Sequence, residues 1–245
     1  EKNNIEKVVE YVKESEAMGI HILPPDINES FKEFIVVDAH TVRYGLLAVK
    51  NIGSAAIDSI VENRKSDPYK SLFELSERVD LRLVNRKVLE SLIKCGAVDC
   101  LSGFRSQKMA VIDKVLDLGT KKQREKVSGQ FSFFDMTDDV SGFNKDTEIL
   151  PEIKEWHSTQ ILAFEREILG FYLSGHPLAH YQIEIKEFTY ISTKSLKQAV
   201  DGEEVRLVGL IEHVKLTNTR KTNERMAILR VEDMEGEVEV VVFPS

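Results

Sequence analysis

The 245 residues are 42% hydrophobic and 30% charged, an ordinary soluble mixture that argues against wholesale disorder, and no apolar run approaches the roughly 20 residues a membrane helix needs. The formal net charge of −8 speaks against a nucleic-acid partner for the chain as a whole. The charge is segregated, however: residues 82–126 hold eleven Lys/Arg against five Asp/Glu and residues 213–230 hold five against one, whereas residues 135–170 hold three against nine. Binding to nucleic acid follows local patches rather than the total; solvated helix faces are the alternative.

The chain opens on EKNNIEKVVE, without Met and without an apolar signal core. That argues against a retained signal peptide and for a piece of a longer protein. Ile5, Val8, Val9 and Val12 recur at helical spacing, so residues 3–17 read as an amphipathic helix stopped by Gly19. Pro24-Pro25-Asp26 forces an extended or turn segment. Phe34–Val37 and Thr41–Tyr44 flank Asp38-Ala39-His40 as a short hairpin.

A short helix is expected over residues 45–50, then a tight turn at Asn51-Ile52-Gly53, then a helix with Ala56, Ile57, Ile60 and Val61 on one face. Residues 71–95 repeat the plan more loosely. Leu72, Phe73 and Leu75 lie on one helix, Asp80-Leu81-Arg82-Leu83 makes the turn, and Val84, Val88, Leu89, Leu92 and Ile93 form the second helical face, with Gly96 as its C-cap. Another basic amphipathic helix spans residues 105–123, with Met109, Ile112, Val115 and Leu116 inward. Periodicity is lost over residues 124–150, where Ser128, Gly129, Ser141 and Gly142 mark a linker. The helical pattern returns over residues 152–173, with Ile161, Phe164, Ile168 and Tyr172 along one side, and His176-Pro177 breaks it.

From residue 203 the period changes to two. Val205 to Ile211, Met226 to Val231 and Val238 to Phe243 read as three strands of an antiparallel meander, and Gly209 inside the first strand marks a bulge or sharp bend. The fold class is therefore α+β and multidomain.

Three constellations carry chemistry. The first is the turn between helices. A turn of the type glycine–hydrophobic–glycine points successive amides outward, and with the following helix N-terminus it makes a phosphate site. Here Asn51 replaces the first glycine and tolerates the left-handed region; Ile52 plugs the helix pair, Gly53 keeps its place and Lys50 flanks the site. The second turn lacks glycine, although Arg82, Arg86 and Lys87 could contact phosphates. DNA-backbone binding and a purely structural helical hairpin both remain open. The second constellation is Gln130-Phe131-Ser132-Phe133-Phe134 in the linker, which fits either a peptide anchor for an apolar pocket or a turn folded on its own protein. The third is the cluster Lys215, Arg220, Lys221 and Arg225 at the first turn of the meander. It suits single-stranded nucleic acid on a small barrel or is a solvated basic turn.

Catalytic and metal signals are missing. His176 and His180 are separated by a helix-breaking proline and lack further ligands, Asp135, Asp138 and Asp139 read as an acidic linker, and Cys95 and Cys100 read as small buried residues. Two cysteines make no disulfide framework, so a cytoplasmic location is expected. No phosphate-loop or nucleophile-elbow motif occurs.

Five stretches in this order, MGIHILPPDINES (18–30), VRYGLLAVKNIG (42–53), NRKVLESLIKCGAVD (85–99), GQFSFFD (129–135) and ILGFYLSGHPLAHY (168–181), resemble the alpha subunits of bacterial DNA polymerase III, the C-family replicative polymerases. The resemblance covers nearly the whole chain. It implies the end of a fingers domain over residues 1–44, a tandem helix-hairpin-helix DNA-binding domain over 45–123, a linker with a clamp-binding motif over 124–150, a helical connector over 151–200 and the N-terminal part of an OB domain over 201–245. It further implies that the hairpin from Lys50 to Ser54, and a poorer one near Arg82 to Arg86, grip duplex primer-template DNA. Gln130 to Phe134 match the pentapeptide that docks into the beta sliding clamp, and the OB domain lies near single-stranded template. The family's polymerase aspartates and their magnesium ions lie upstream of Glu1, so the chain is expected to bind DNA, clamp and the rest of the holoenzyme without polymerising nucleotides and without a cofactor of its own. The alternative is a generic helix-hairpin-helix and OB module of another DNA-processing protein.

Overall fold

The computed structural model describes residues 5–65, 67–128, 149–189, 191–196, 198–220 and 222–244. The described residues form an α+β structure of nine α-helices and two small three-stranded sheets. They divide into two compact units, the first ending at Leu173 and the second starting at Ser174. The boundary lies inside the segment read as a connector.

In the first unit, helix α1 (Ile5–Ala17) buries Val8 and Val12, and Gly19 stops it with a positive φ of 79°. Strands β2 (Ile35–Asp38) and β3 (Thr41–Arg43) form the expected hairpin. Strand β1 (His21–Leu23) was not expected; it pairs in parallel with β3 and makes the sheet mixed, in the order β1-β3-β2. Its pairing partner lies twenty residues away, and three residues carry too little period to announce a strand.

The helix expected at residues 45–50 is only a 3-10 turn, Leu46–Ala48. Helix α2 (Ser54–Asn63) follows and buries Ala56, Ile57 and Ile60. Helix α3 (Leu72–Arg78) starts on Ser71, whose hydroxyl accepts from the Glu74 amide at 3.1 Å, while the Glu74 carboxylate accepts from the Lys70 amide at 2.9 Å. Helix α4 (Arg86–Lys94) buries Val88, Leu89, Leu92 and Ile93, as its period predicts, and Gly96 beyond it has φ 81°. The single helix expected over 105–123 is two: α5 (Arg105–Ala110) and α6 (Ile112–Ser128), broken at Val111 and running further than its apolar stripe. Ile112 and Val115 are buried, and Met109 and Leu116 are half-buried against the same core.

Helix α7 (Ser158–Leu169) is also part of this core. Its inner face is Leu162, Glu165, Ile168 and Leu169 rather than the expected Ile161, Phe164, Ile168 and Tyr172. A fully buried glutamate is tolerable only when paired. Glu165 accepts from Arg105 Nη1 at 3.1 Å and from the Leu173 amide at 3.0 Å, and Arg105 is held on its other side by Asp99. Just before α7, the Glu155 carboxylate accepts from the Arg105 and Ser106 amides at 2.8 and 3.0 Å, capping α5 from outside the helix.

The second unit holds a 3-10 segment (Pro177–Tyr181), helices α8 (Gln182–Phe188) and α9 (Thr193–Leu196), and a meander of β4 (Leu210–Asn218), β5 (Arg225–Glu232) and β6 (Glu237–Val242) in the order β4-β5-β6. The meander is antiparallel as expected, but its first strand begins at Leu210, five residues after Val205. Gly209 stands immediately before that start. A Cβ there would lie 2.4 Å from Val231 Cγ1 and 2.9 Å from the Glu232 carbonyl oxygen, so the two backbones approach too closely for a side chain. The expected irregularity appears beside it, as a register shift between Ile211 and His213.

Asp233 locks the β5–β6 turn onto α9. Its carboxylate accepts from the Thr193 amide and hydroxyl at 2.7 and 2.6 Å and from the Glu235 and Gly236 amides at 2.8 and 3.0 Å. Burial pushes the carboxyl up, but these donors prevail and hold it below the ordinary 3.8. The sign follows from the lowered folded value: the stabilisation is present above about pH 4 and is lost as pH falls through the folded pKa. The Glu235 and Gly236 amide resonances should therefore titrate together with a midpoint below 3.8; a midpoint at or above that value contradicts the lock.

Candidate nucleic-acid interface

The first turn is built around one left-handed residue. Asn51 has φ 67°, a region that costs most L-residues roughly 1–2 kcal/mol and asparagine less. Its side-chain amide donates to Ser91 Oγ at 3.1 Å, which ties the turn to α4. Ile52 is buried, as a plug between the helices should be. Gly53 is the N-cap of α2, with extended backbone (φ −85°, ψ 155°) and no side chain to cap the helix. The amides of Gly53, Ser54 and Ala55 have no acceptor among the described residues. Unsatisfied amides at the positive end of a ten-residue helix are chemically suited to an anion.

Gly53 itself is informative. Its φ is one that any residue adopts, and a Cβ built there meets nothing within 4 Å. The fold of this chain therefore does not require glycine at position 53. A glycine with open space on it leaves room for close approach by something outside the chain.

Lys50 is exposed, but it is held on both its side chain and its main chain. Its ammonium donates to the Glu167 carbonyl at 2.8 Å and its amide donates to the Ile168 carbonyl at 3.2 Å. The sequence held no signal for this contact, because α7 lies more than a hundred residues away.

The second turn is arranged differently. The N-terminus of α4 is already capped by Asn85, whose side-chain oxygen accepts from the Val88 amide at 3.3 Å. Arg82 makes three hydrogen bonds to the Asp80 carboxylate, two from its guanidinium and one from its backbone amide, which hold that carboxyl below its usual range. Arg86 is paired with both Glu90 and Asp113. Lys87 is exposed and has no ion-pair partner among the described residues.

The basic count over residues 82–126 overstates the basic surface. Lys108 is buried, with its ammonium donating to the Val98 carbonyl at 2.8 Å, and Arg105 is consumed by Asp99 and Glu165. Lys94 pairs with Glu167, and Lys122 with Glu77. Lys87, Lys114, Lys121 and Arg124 remain exposed, with no ion pair among the described residues. Nothing in composition separates these from the buried ones.

In the second unit Lys215, Arg220 and Arg225 are exposed around the first turn of the meander, which Thr219 closes by donating to the Glu224 carbonyl at 2.9 Å. Lys221 lies outside the described residues. Lys215 pairs with Ile228 and Arg225 with Asn218, so by strand alternation they occupy opposite faces of the hairpin. His213 and Arg230, opposite one another, share the Lys215 face. The segment Gln130, Phe131, Ser132, Phe133 and Phe134 lies outside the described residues.

Among the described residues no three His, Cys, Asp or Glu side chains come together as a metal site. The Cys95 thiol is buried, and burial pushes it up to about 12, which makes it a packing group rather than a nucleophile.

The helix-hairpin-helix motif family matches residues 19–108, the region that holds both turns. Curated relatives match almost the entire chain. A DNA polymerase III subunit alpha of Borreliella burgdorferi is 36% identical over 99% of this chain and 21% of its own length. That of Bacillus subtilis is 35% identical over 99% and 21%, and that of Escherichia coli K12 is 32% identical over 98% and 21%. The chain thus spans about a fifth of the length of the relatives it matches, and it is homologous throughout to a segment of DNA polymerase III alpha subunits.

The turn geometry sets an order of stabilities. Asn51→Ala should destabilise the chain by about 1–2 kcal/mol through the left-handed backbone and the loss of the Ser91 bond. Asn51→Gly keeps the backbone and should cost less. Chemical denaturation of both variants checks this; an alanine variant as stable as the native chain contradicts it.

Proposed function

We propose that this chain, homologous over its length to a segment of the DNA polymerase III alpha subunits, is a DNA- and sliding-clamp-binding region that carries no catalytic centre of its own. In this reading the hairpin from Lys50 to Ser54 is the principal duplex-binding element, with the amides that follow Asn51 as its phosphate donors. A backbone phosphate of the primer-template sits over Gly53 and accepts from the Gly53 and Ser54 amides, with the α2 N-terminus adding its positive end. The tandem helix-hairpin-helix reading gives the second turn a lesser share, through Lys87 and whatever Arg82 and Arg86 release from their carboxylates. Contacts to phosphate alone carry no base information, so binding is independent of sequence.

The observation that carries this reading is the glycine at position 53, which has open space where a side chain would be and stands at the uncapped start of α2. The helix-hairpin-helix match over the same residues supports it. Gln130, Phe131, Ser132, Phe133 and Phe134 are assigned to the beta sliding clamp, on their likeness to the family's clamp-docking pentapeptide. Lys215, Arg220, Lys221 and Arg225, on the partial OB barrel, are assigned to the single-stranded template. Template-directed synthesis, with its magnesium ions, is assigned to parts of the parent polymerase outside these residues, in a cytoplasmic holoenzyme.

Gly53→Ala separates binding from folding. Alanine restricts the unfolded chain, a gain of about 0.4–1 kcal/mol, but it is a poorer N-cap than glycine by a similar amount, so stability should change by less than about 1 kcal/mol and the chain should stay folded. Its methyl group occupies the phosphate's place, so duplex affinity should fall by about tenfold, the loss of a hydrogen bond to a charged group. Unchanged affinity in fluorescence anisotropy contradicts the site. A second titration, with a bacterial sliding clamp, should show binding that vanishes when Gln130, Phe133 and Phe134 are changed to alanine. Equal binding by both forms removes the clamp assignment and leaves a general helix-hairpin-helix module.

A further inference from the structure

Lys50 lies beside a proposed phosphate site, and its charge alone would make it a phosphate ligand. Its contacts point elsewhere. The last carbonyls of an α-helix have no partners inside the helix and carry the negative end of its dipole. At the end of α7, two of these carbonyls are taken by one residue: Glu167 O accepts from Lys50 Nζ at 2.8 Å and Ile168 O accepts from the Lys50 amide at 3.2 Å. Gly170, with φ 89°, ends α7, its own amide turning back to the Arg166 carbonyl at 3.0 Å. The end of α7 is itself fixed. Ile168, Leu169 and Phe171 are buried in the helical core, and Lys94 of α4 holds the Glu167 carboxylate at 2.8 and 2.9 Å.

We infer that Lys50 is a positioning residue, held by the C-terminal carbonyls of α7 so that the adjoining turn presents the Gly53, Ser54 and Ala55 amides at a fixed angle, and that its ammonium is not a phosphate contact. The inference rests on the duplex-binding reading of that turn. It gives α7, which follows the linker in sequence, a part in DNA binding without touching DNA. Lys50 is anchored through both its main chain and its side chain to the same helix end, and Asn51 next to it is anchored to α4. The turn is thereby fixed from two sides, and the amides that follow it inherit its orientation.

The test is the salt dependence of duplex binding by the full 245-residue chain. Each phosphate contact made by a cation contributes about 0.9 to the slope of log K against log salt. Lys50→Met keeps the aliphatic stem and removes the ammonium. Its affinity should fall by about two- to fivefold, the worth of one cation at a helix C-terminus, with the slope unchanged. Lys50→Arg, which restores a donor to the Glu167 carbonyl, should recover the affinity. Gly170→Ala disturbs the end of α7 with no change of charge, and it too should weaken binding at constant slope. A slope shallower by about 0.9 in Lys50→Met, or undiminished affinity in both Lys50→Met and Gly170→Ala, overturns the inference while leaving the site in place. Absence of duplex binding by the unsubstituted chain overturns the reading of the turn itself.

Discussion

The left-handed backbone at Asn51 is the constraint around which the helical unit is arranged. A chain leaving the 3-10 turn at Leu46–Ala48 must reverse within a few residues to start α2, and it does so through one residue at φ 67°. Asparagine reduces the backbone penalty of that region, and its side chain also reaches Ser91 on α4. The same reversal drives Ile52 into the core and leaves Gly53 on the outside. Buried plug and exposed glycine are thus two consequences of one backbone turn.

The two helical turns show how similar sequence plans can diverge in chemistry. In the first, the following helix begins without a side-chain cap, and its first amides have no acceptor among the described residues. In the second, Asn85 caps the helix, and the adjacent arginines are matched to carboxylates. Exposed ion pairs of this kind add little stability, and their cations must leave a partner before they can meet a phosphate. Free amides need no such exchange. Charge counting ranks the second turn higher; the state of each donor ranks the first higher.

What could be read from the sequence was what depends on near neighbours. Helical spacing identified the inner faces of α2 and α4, and period-two alternation identified the meander. Gly209 was recognisable as a bend, and Asn51 as a residue able to take the turn. What escaped depends on distant partners. Strand β1 exists through β3, Glu165 is buried through Arg105, and Lys50 is held by α7. The break between α5 and α6 at Val111 interrupts a stripe whose period continues across it, so spacing alone could not show it. Within the basic segment Lys108 and Arg105 face the interior, and a charge count has no means of telling inward from outward.

The central claim is that the first turn, through its backbone, is where duplex DNA is held. Amide chemical-shift mapping of the labelled chain titrated with a short duplex tests it most directly. The Gly53, Ser54 and Ala55 amides should move furthest, and do so for duplexes of unrelated sequence, while the Arg86 and Lys87 amides move less. Shifts centred on Arg82 to Lys87 with Gly53 and Ser54 unmoved, or shifts that depend on the base sequence of the duplex, would contradict it.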